Sequence, residues 1–218
     1  ITKVLDETLA KANMKIDEID AIAVTYGPGL MGSLLVGVEA AKTIALVYNK
    51  PLIAVNHMAG HIYANNLETK IKFPLLALVV SGGHTDIIYM PKDYEFQVLG
   101  STLDDAIGEA YDKVARVLDL KYPGGPNVEK LAINGRASYK LPIPMNDSSL
   151  NMSFSGLKSS IVNLVHNERQ RNHEINKADL ACSFQTTAVD ELVRKVELAI
   201  KETNVPNLII AGGVSANQ

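Results

Sequence analysis

Two histidines four residues apart, in the run His57-Met58-Ala59-Gly60-His61, are the first residues whose types and spacing suggest chemistry. On a helix this spacing puts both rings on one face, close enough to share a metal ion. The pair directly follows a short apolar run, and α/β sheets place their ligand clefts beyond strand ends. The spacing is that of the zinc-protease motif His-Glu-x-x-His, but Met58 stands where the catalytic glutamate belongs, so the general base of such a protease is missing. The plain alternative is a chance pair on a helix surface.

A second candidate is Val79-Val80-Ser81-Gly82-Gly83-His84-Thr85. Adjacent glycines between two strands let backbone N–H groups approach an anion, and Ser81 or Thr85 can add a hydroxyl. An ordinary hairpin turn is the competing account of Gly-Gly, and a structural role the competing account of His84. Asp104, Asp105, Glu109, Asp112 and Lys113 form a third group, in which a carboxylate could meet a ribose hydroxyl or a metal-bound water. Dipole complementarity at a helix start explains much of it equally well. Pro123-Gly124-Gly125-Pro126 reads either as helix termination or as a loop facing a nucleotide. In Asn151-Met152-Ser153-Phe154-Ser155 the serines can cap a following helix, and Lys158 can meet an anionic partner. Ala211-Gly212-Gly213-Val214-Ser215-Ala216-Asn217 is a strand-to-helix glycine turn of the anion-binding sort. Together these describe a nucleotide cleft beside a metal.

The elements that must position these groups follow from periodicity. Helical spacing predicts helices over 1–13, 32–48, 57–65, 103–118 and 179–201, with a further helix from about Leu157. Short apolar runs predict strands over 19–25, 52–56, 74–80, 85–90, 94–99 and 208–211. The first part, α-β-α-β-α, implies a parallel or mixed sheet, and the run of three strands after Phe73 implies a meander opening a second part. The expected boundary lies near Lys72, giving 1–72 and 73–218. The polar stretch 167–177 reads as a solvated loop or helix end.

Composition bounds the partners. The 218 residues carry a net charge of −3, which excludes nucleic-acid binding by overall charge and leaves a local patch open. No run is long and apolar enough for a membrane-spanning helix, and the single cysteine, Cys182, fits a reducing compartment. A start at Ile1 and a stop just after a strand and its glycine turn suggest that both ends are truncated.

The runs 57–61, 81–85, 100–130 (GSTLDDAIGEAYDKVARVLDLKYPGGPNVEK), 153–158 (SFSGLK) and 212–217 (GGVSAN) resemble, in order and spacing over essentially the whole chain, the TsaD family of tRNA N6-adenosine threonylcarbamoyltransferases. The resemblance implies an α/β, actin-like ATPase fold of two lobes, related to sugar kinases and Hsp70, here as a fragment. It implies a divalent metal, iron with zinc as the alternative, held by His57 and His61, with a further aspartate ligand beyond Asn217 and a phosphate loop before Ile1. It also implies substrate contacts at Val79, Val80, Ser81, Gly82 and Gly83 on the phosphate side, and at Asp112, Gly125, Glu129 and Asn217 on the nucleoside side. Family members more often have aspartate where Glu129 sits. Val79 and His84 match the bacterial or organellar branch.

The implied reaction moves a threonylcarbamoyl group from threonylcarbamoyl-AMP to N6 of adenosine 37 in tRNAs reading codons that begin with A. The implied partners are tRNA, a TsaB-like paralogue and a TsaE-like ATPase, in the cytoplasm and without a membrane. The helix over 32–48, with Ala40, Ala41 and Ala45, offers a packing face to such a paralogue or, equally, to its own sheet. The catalytic base stays unassigned, His84 being a candidate by its chemistry alone. Three rivals are a small-molecule kinase or ATPase of the same fold, a non-catalytic paralogous scaffold, and the protease. The histidine pair discriminates against the kinase, the retained glycine motifs against the scaffold, and Met58 against the protease.

Overall fold

The computed structural model describes residues 1–217, and among these no helix is long and apolar enough to cross a membrane. The chain forms two compact units, Ile1–Tyr63 and the part from Ala64 onward.

The first unit alternates helix α1 (Thr2–Ala12), strand β1 (Ile22–Gly27), helix α2 (Met31–Val47), strand β2 (Leu52–Asn56) and helix α3 (His57–Tyr63). Strands β1 and β2 pair in parallel, Ile22 opposite Leu52 and Thr25 opposite Val55. Helix α2 connects them and lies on β1. It stops where Asn49 turns left-handed before Pro51. Its small residues Ala41 and Ala45 are buried, whereas Leu35, Val36, Leu46 and Val47 are exposed, so the alanines do not form an outward packing face.

The second unit is built on a four-stranded sheet in the order β5-β4-β3-β6. Strands β3 (Leu75–Val80), β4 (Thr85–Met90) and β5 (Gln97–Ser101) form the antiparallel meander, and β6 (Asn207–Ala211) runs parallel to β3. All six β3 residues are buried, as expected of an apolar central strand with both faces covered. Helices α4 (Ile107–Val117), α5 (Gly124–Ala132), α6 (Ser155–Gln170) and α7 (Lys177–Thr203) supply most of the remaining core, including Val114, Val128, Ile161 and Phe184.

Several elements differ from the sequence expectation, each for a visible reason. Strand β5 starts three residues late because Tyr94 is left-handed, which spends the preceding residues in a turn. Helix α4 starts at Ile107 rather than 103, because Thr102 and Leu103 donate backbone hydrogen bonds to Thr85 and Met152 instead of entering a helix. Asp104 and Asp105 therefore lie outside its first turn. The glycines of 123–126 do not end a unit; they begin helix α5.

Asp104 takes the capping role expected of the serines before α6. Its carboxylate accepts from the Phe154 and Ser155 amides at 2.8 and 3.2 Å and from the Ser153 and Ser155 hydroxyls at 2.5 and 2.6 Å. Partial burial opposes its ionisation, but these four bonds prevail and hold its pKa down at about 2, against an ordinary 3.8. The folded state thus keeps Asp104 charged at a pH where the unfolded chain has bound a proton. That stabilisation is whole above about pH 4 and is lost as pH falls toward 2. An acid titration followed by circular dichroism should show this slope flattened in Asp104→Asn; an unchanged slope would contradict the assignment.

Candidate functional site

Strand β2 ends in Asn56, whose Oδ1 accepts from the Met58 and Ala59 amides at 2.9 and 3.2 Å, so α3 begins at His57 with a side-chain cap. One helical turn then brings His57 Nε2 to 3.1 Å from His61 Nε2, with the rings at 71° and their centres 4.5 Å apart. Two imidazoles bound to one ion at about 2.0–2.1 Å each must stand at about this separation, so the donor set and its convergence fit two ligands of a zinc or iron centre. Among the described residues no third His, Cys, Asp or Glu joins them.

In the second unit, Ser81–His84 links β3 to β4. The Ser81 amide donates to the His84 carbonyl at 2.8 Å, and the Ser81 hydroxyl accepts from the Gly83 and His84 amides at 3.4 and 3.0 Å. Gly82 N–H is the turn's donor left without an internal partner among the described residues. The turn is docked on α4: Gly108 N–H donates to the Ser81 carbonyl at 3.2 Å, and the fully buried Thr85 hydroxyl accepts from Ile107 N–H at 2.8 Å. Thr85 is thus a helix cap rather than an anion donor. Lys113 bridges Asp105 and Glu109 at 2.5 and 2.7 Å, and Lys158 faces Asp105 at 3.7 Å.

A cavity of about 310 Å³ opens beside this turn, lined among others by Gly82, Asp112, Gly125, Glu129 and Asn217. Five residues expected on the substrate side therefore meet at one place. Asp112 Oδ1 accepts from Gly124 N–H at 2.7 Å, which leaves its second oxygen for a ligand. The Asn217 amide donates to Gln185 Oε1 at 3.2 Å, which orients it. Val79 is buried within β3, Val80 faces an apolar groove instead, and Gly83 stays exposed at the tip of the turn.

The glycines lining this cavity or next to one that does fall into two kinds. A Cβ on Gly124 would come within 2.5 Å of Asp112 Cα, and one on Gly212, at φ +97°, within 2.2 Å of the Val80 carbonyl oxygen. These two let chain segments touch. Among the described residues a Cβ on Gly82, Gly125 or Gly213 would meet nothing within 4 Å, and none of the three has a positive φ. Nothing in the fold requires glycine there; all three line the cavity, and what their missing side chains leave is room.

The whole chain, residues 1–218, matches the family described as TsaD, tRNA N6-adenosine threonylcarbamoyltransferase. The chain belongs to the TsaD family. A relative in Listeria welshimeri named tRNA N6-adenosine threonylcarbamoyltransferase is 56% identical over all of this chain, which covers 64% of that protein's length. The solved structure of T. kodakarensis HypF superposes with a TM-score of 0.66 at 14% identity, covering 99% of this chain and 37% of that one. The activator of 2-hydroxyisocaproyl-CoA dehydratase from Clostridium difficile, with bound ADPNP, gives 0.54 at 15% identity, covering 99% of this chain and 67% of that one. These two likenesses establish the actin-like fold.

The structure also brings to the TsaD cavity residues that sequence reasoning passed over. Tyr111 lines it, yet it reads as core because it continues the period Ile107, Ala110, Val114 and Leu118 along α4. Gln185, which holds Asn217, lies 32 residues away in the chain and carried no local signal.

Proposed function

We infer that the full-length protein carrying this chain transfers the threonylcarbamoyl group of threonylcarbamoyl-AMP to N6 of adenosine 37 in tRNAs reading codons that begin with A, releasing AMP. The observation that carries this reading is the cavity of the second unit, with its open glycines and its two carboxylates, in a chain matched end to end by the TsaD family. Its volume is that of a small-ligand site.

In this reading the nucleoside of the adenylate occupies the cavity. Glu129 and the second oxygen of Asp112 accept the ribose hydroxyls, and Asn217, steadied by Gln185, holds a further polar edge. Gly82 N–H donates to the phosphate from a turn already fixed by Ser81, Gly108 and Thr85, so it needs no reorganisation as charge develops. The phosphate-side contacts at Val79 and Val80 are backbone contacts, because both side chains are buried. Ser81 shapes the turn, and Gly83 leaves it open. His57 and His61 would hold an iron or, alternatively, a zinc ion, which supplies a Lewis acid when bound. Adenosine N6 forms the new bond to the carbamoyl carbon, the bond from that carbon to the phosphate oxygen breaks, and the N6 proton leaves.

A net charge of −3 makes tRNA binding by this chain alone weak by electrostatics, which fits work beside a TsaB-like paralogue and a TsaE-like ATPase in a reducing cytoplasm. The test uses the full-length protein with metal, partners, unmodified tRNA and threonylcarbamoyl-AMP, followed by nuclease digestion and mass spectrometry. Threonylcarbamoyl-adenosine and stoichiometric AMP are the expected products. Nucleotide turnover without modified adenosine would instead indicate a kinase or ATPase.

A further inference from the structure

The turn after β6 supplies four of the groups that line the cavity: Gly213, Val214, Ala216 and Asn217. Gly213, Ser215 and Ala216 are exposed, and the backbone bonds of this stretch are short-range. Ser215 N–H donates to the Gly212 carbonyl at 3.1 Å and Asn217 N–H to the Val214 carbonyl at 3.0 Å. The Ser215 hydroxyl donates to the Gly212 carbonyl as well, at 2.6 Å. Among the described residues, one hydrogen bond ties 213–217 to a distant element. It runs from the Asn217 side-chain amide to Gln185 Oε1 on α7, at 3.2 Å.

Gln185 is an exception on its helix. Ala181, Phe184, Ala188, Leu192 and Val196 make up the buried stripe of α7, and Gln185, four residues after Ala181 and three before Ala188, continues it. The period calls for an apolar side chain at that position. A half-buried amide there is costly unless it is hydrogen-bonded, and its partner among the described residues is Asn217. Gln185 does not line the cavity itself. Any effect it has on a ligand passes through Asn217.

We propose that Gln185 is a positioning residue for nucleotide binding: by holding Asn217, it fixes the 213–217 wall of the cavity before a nucleotide enters. The proposal rests on the nucleotide reading of the cavity given above. One amide proton of Asn217 is spent on Gln185, which leaves Oδ1 and the second N–H available to a nucleoside. A side chain and a turn that are already ordered need not be ordered at the moment of binding. The hydrogen bond is therefore expressed as affinity rather than as stability of the fold.

The experiment measures AMP binding calorimetrically to the full-length protein and to its Gln185→Leu, Asn217→Ala and doubly substituted variants, with thermal melts in the absence of nucleotide. Leucine suits the apolar stripe, so Gln185→Leu should melt at the parent's temperature or higher while binding AMP roughly three- to tenfold more weakly. The double variant should bind AMP no more weakly than Asn217→Ala alone, because the two residues act as one unit. Gln185→Glu keeps the acceptor for Asn217. With adenosine, which has no phosphate for the added carboxylate to repel, it should bind as the parent does and more tightly than Gln185→Leu. Undiminished AMP affinity in Gln185→Leu would overturn the proposal and leave the nucleotide site standing. A lower melting temperature for Gln185→Leu without nucleotide would place the bond in the service of the fold and overturn it too. So would a further loss of affinity in the double variant, or no recovery in Gln185→Glu. A parent protein that does not bind AMP would overturn the nucleotide reading and this role with it.

Discussion

Alanine in place of His57 is expected to lower threonylcarbamoyl transfer by the full-length protein by about two orders of magnitude or more, together with its bound metal. The reasoning is geometric. The two Nε2 atoms converge to 3.1 Å because a capped helix begins at the first histidine and returns one turn later at the second. Losing either ring breaks the chelate of this pair and leaves one imidazole with at most the further aspartate that the family resemblance implies, too few ligands to keep the ion well bound. The fold should not follow, since His57 is half-buried and the Asn56 cap of α3 does not use its side chain. Asn56→Ala is the matching control: it removes the cap, at about 1 kcal/mol, but keeps both rings, and should retain metal and most of the transfer. Elemental analysis beside the mass-spectrometric assay reads both quantities. A His57→Ala protein with full metal and undiminished transfer would dismiss the pair as a centre of the reaction.

The second large effect concerns stability. Gly212→Ala should destabilise the protein by roughly 3 kcal/mol or more, lowering its melting temperature by about 6–12 °C. Its φ of +97° disfavours any L side chain, and the new Cβ would sit 2.2 Å from the Val80 carbonyl oxygen. That oxygen belongs to β3, the strand paired on both sides by β4 and β6, so the backbone has no direction in which to yield. Gly213→Ala, one residue on, should melt within about 0.5 kcal/mol of the parent, because its Cβ meets nothing within 4 Å. It should nonetheless weaken AMP binding by narrowing the cavity that Gly213 lines. Differential scanning calorimetry and nucleotide titration of the two variants separate packing from binding. Equal melting temperatures for the two would refute the division.

Much of the frame is legible in local pattern. Strands 52–56 and 85–90 fall where apolar runs end at polar or glycine residues, and α3 begins where Asn56 and His57 meet. The meander and the alternation of helix and strand likewise follow from hydrophobic period, which a chain segment carries within itself. Helix α4 shows the limit. Its apolar period is plain, but its first residue was set by bonds from Thr102 and Leu103 to segments far along the chain.

The sequence by itself thus determined most of the helices and strands, α5 excepted, that a histidine pair would share one helical face, and that paired glycines would recur after strands. Tertiary structure alone decided what each of those residues does. It made Asp104 a cap for a helix some 50 residues away and Thr85 a cap for α4. In 124–125 and 212–213 it made the first glycine a packing contact and the second an opening. It also placed a tyrosine that reads as core against a cavity, its hydroxyl without a partner among the described residues. The physical reason is the range of the interactions. Period and propensity are properties of neighbours in sequence, whereas a steric clash, a cap or an unpartnered hydroxyl depends on groups that only the folded chain brings within a few ångströms.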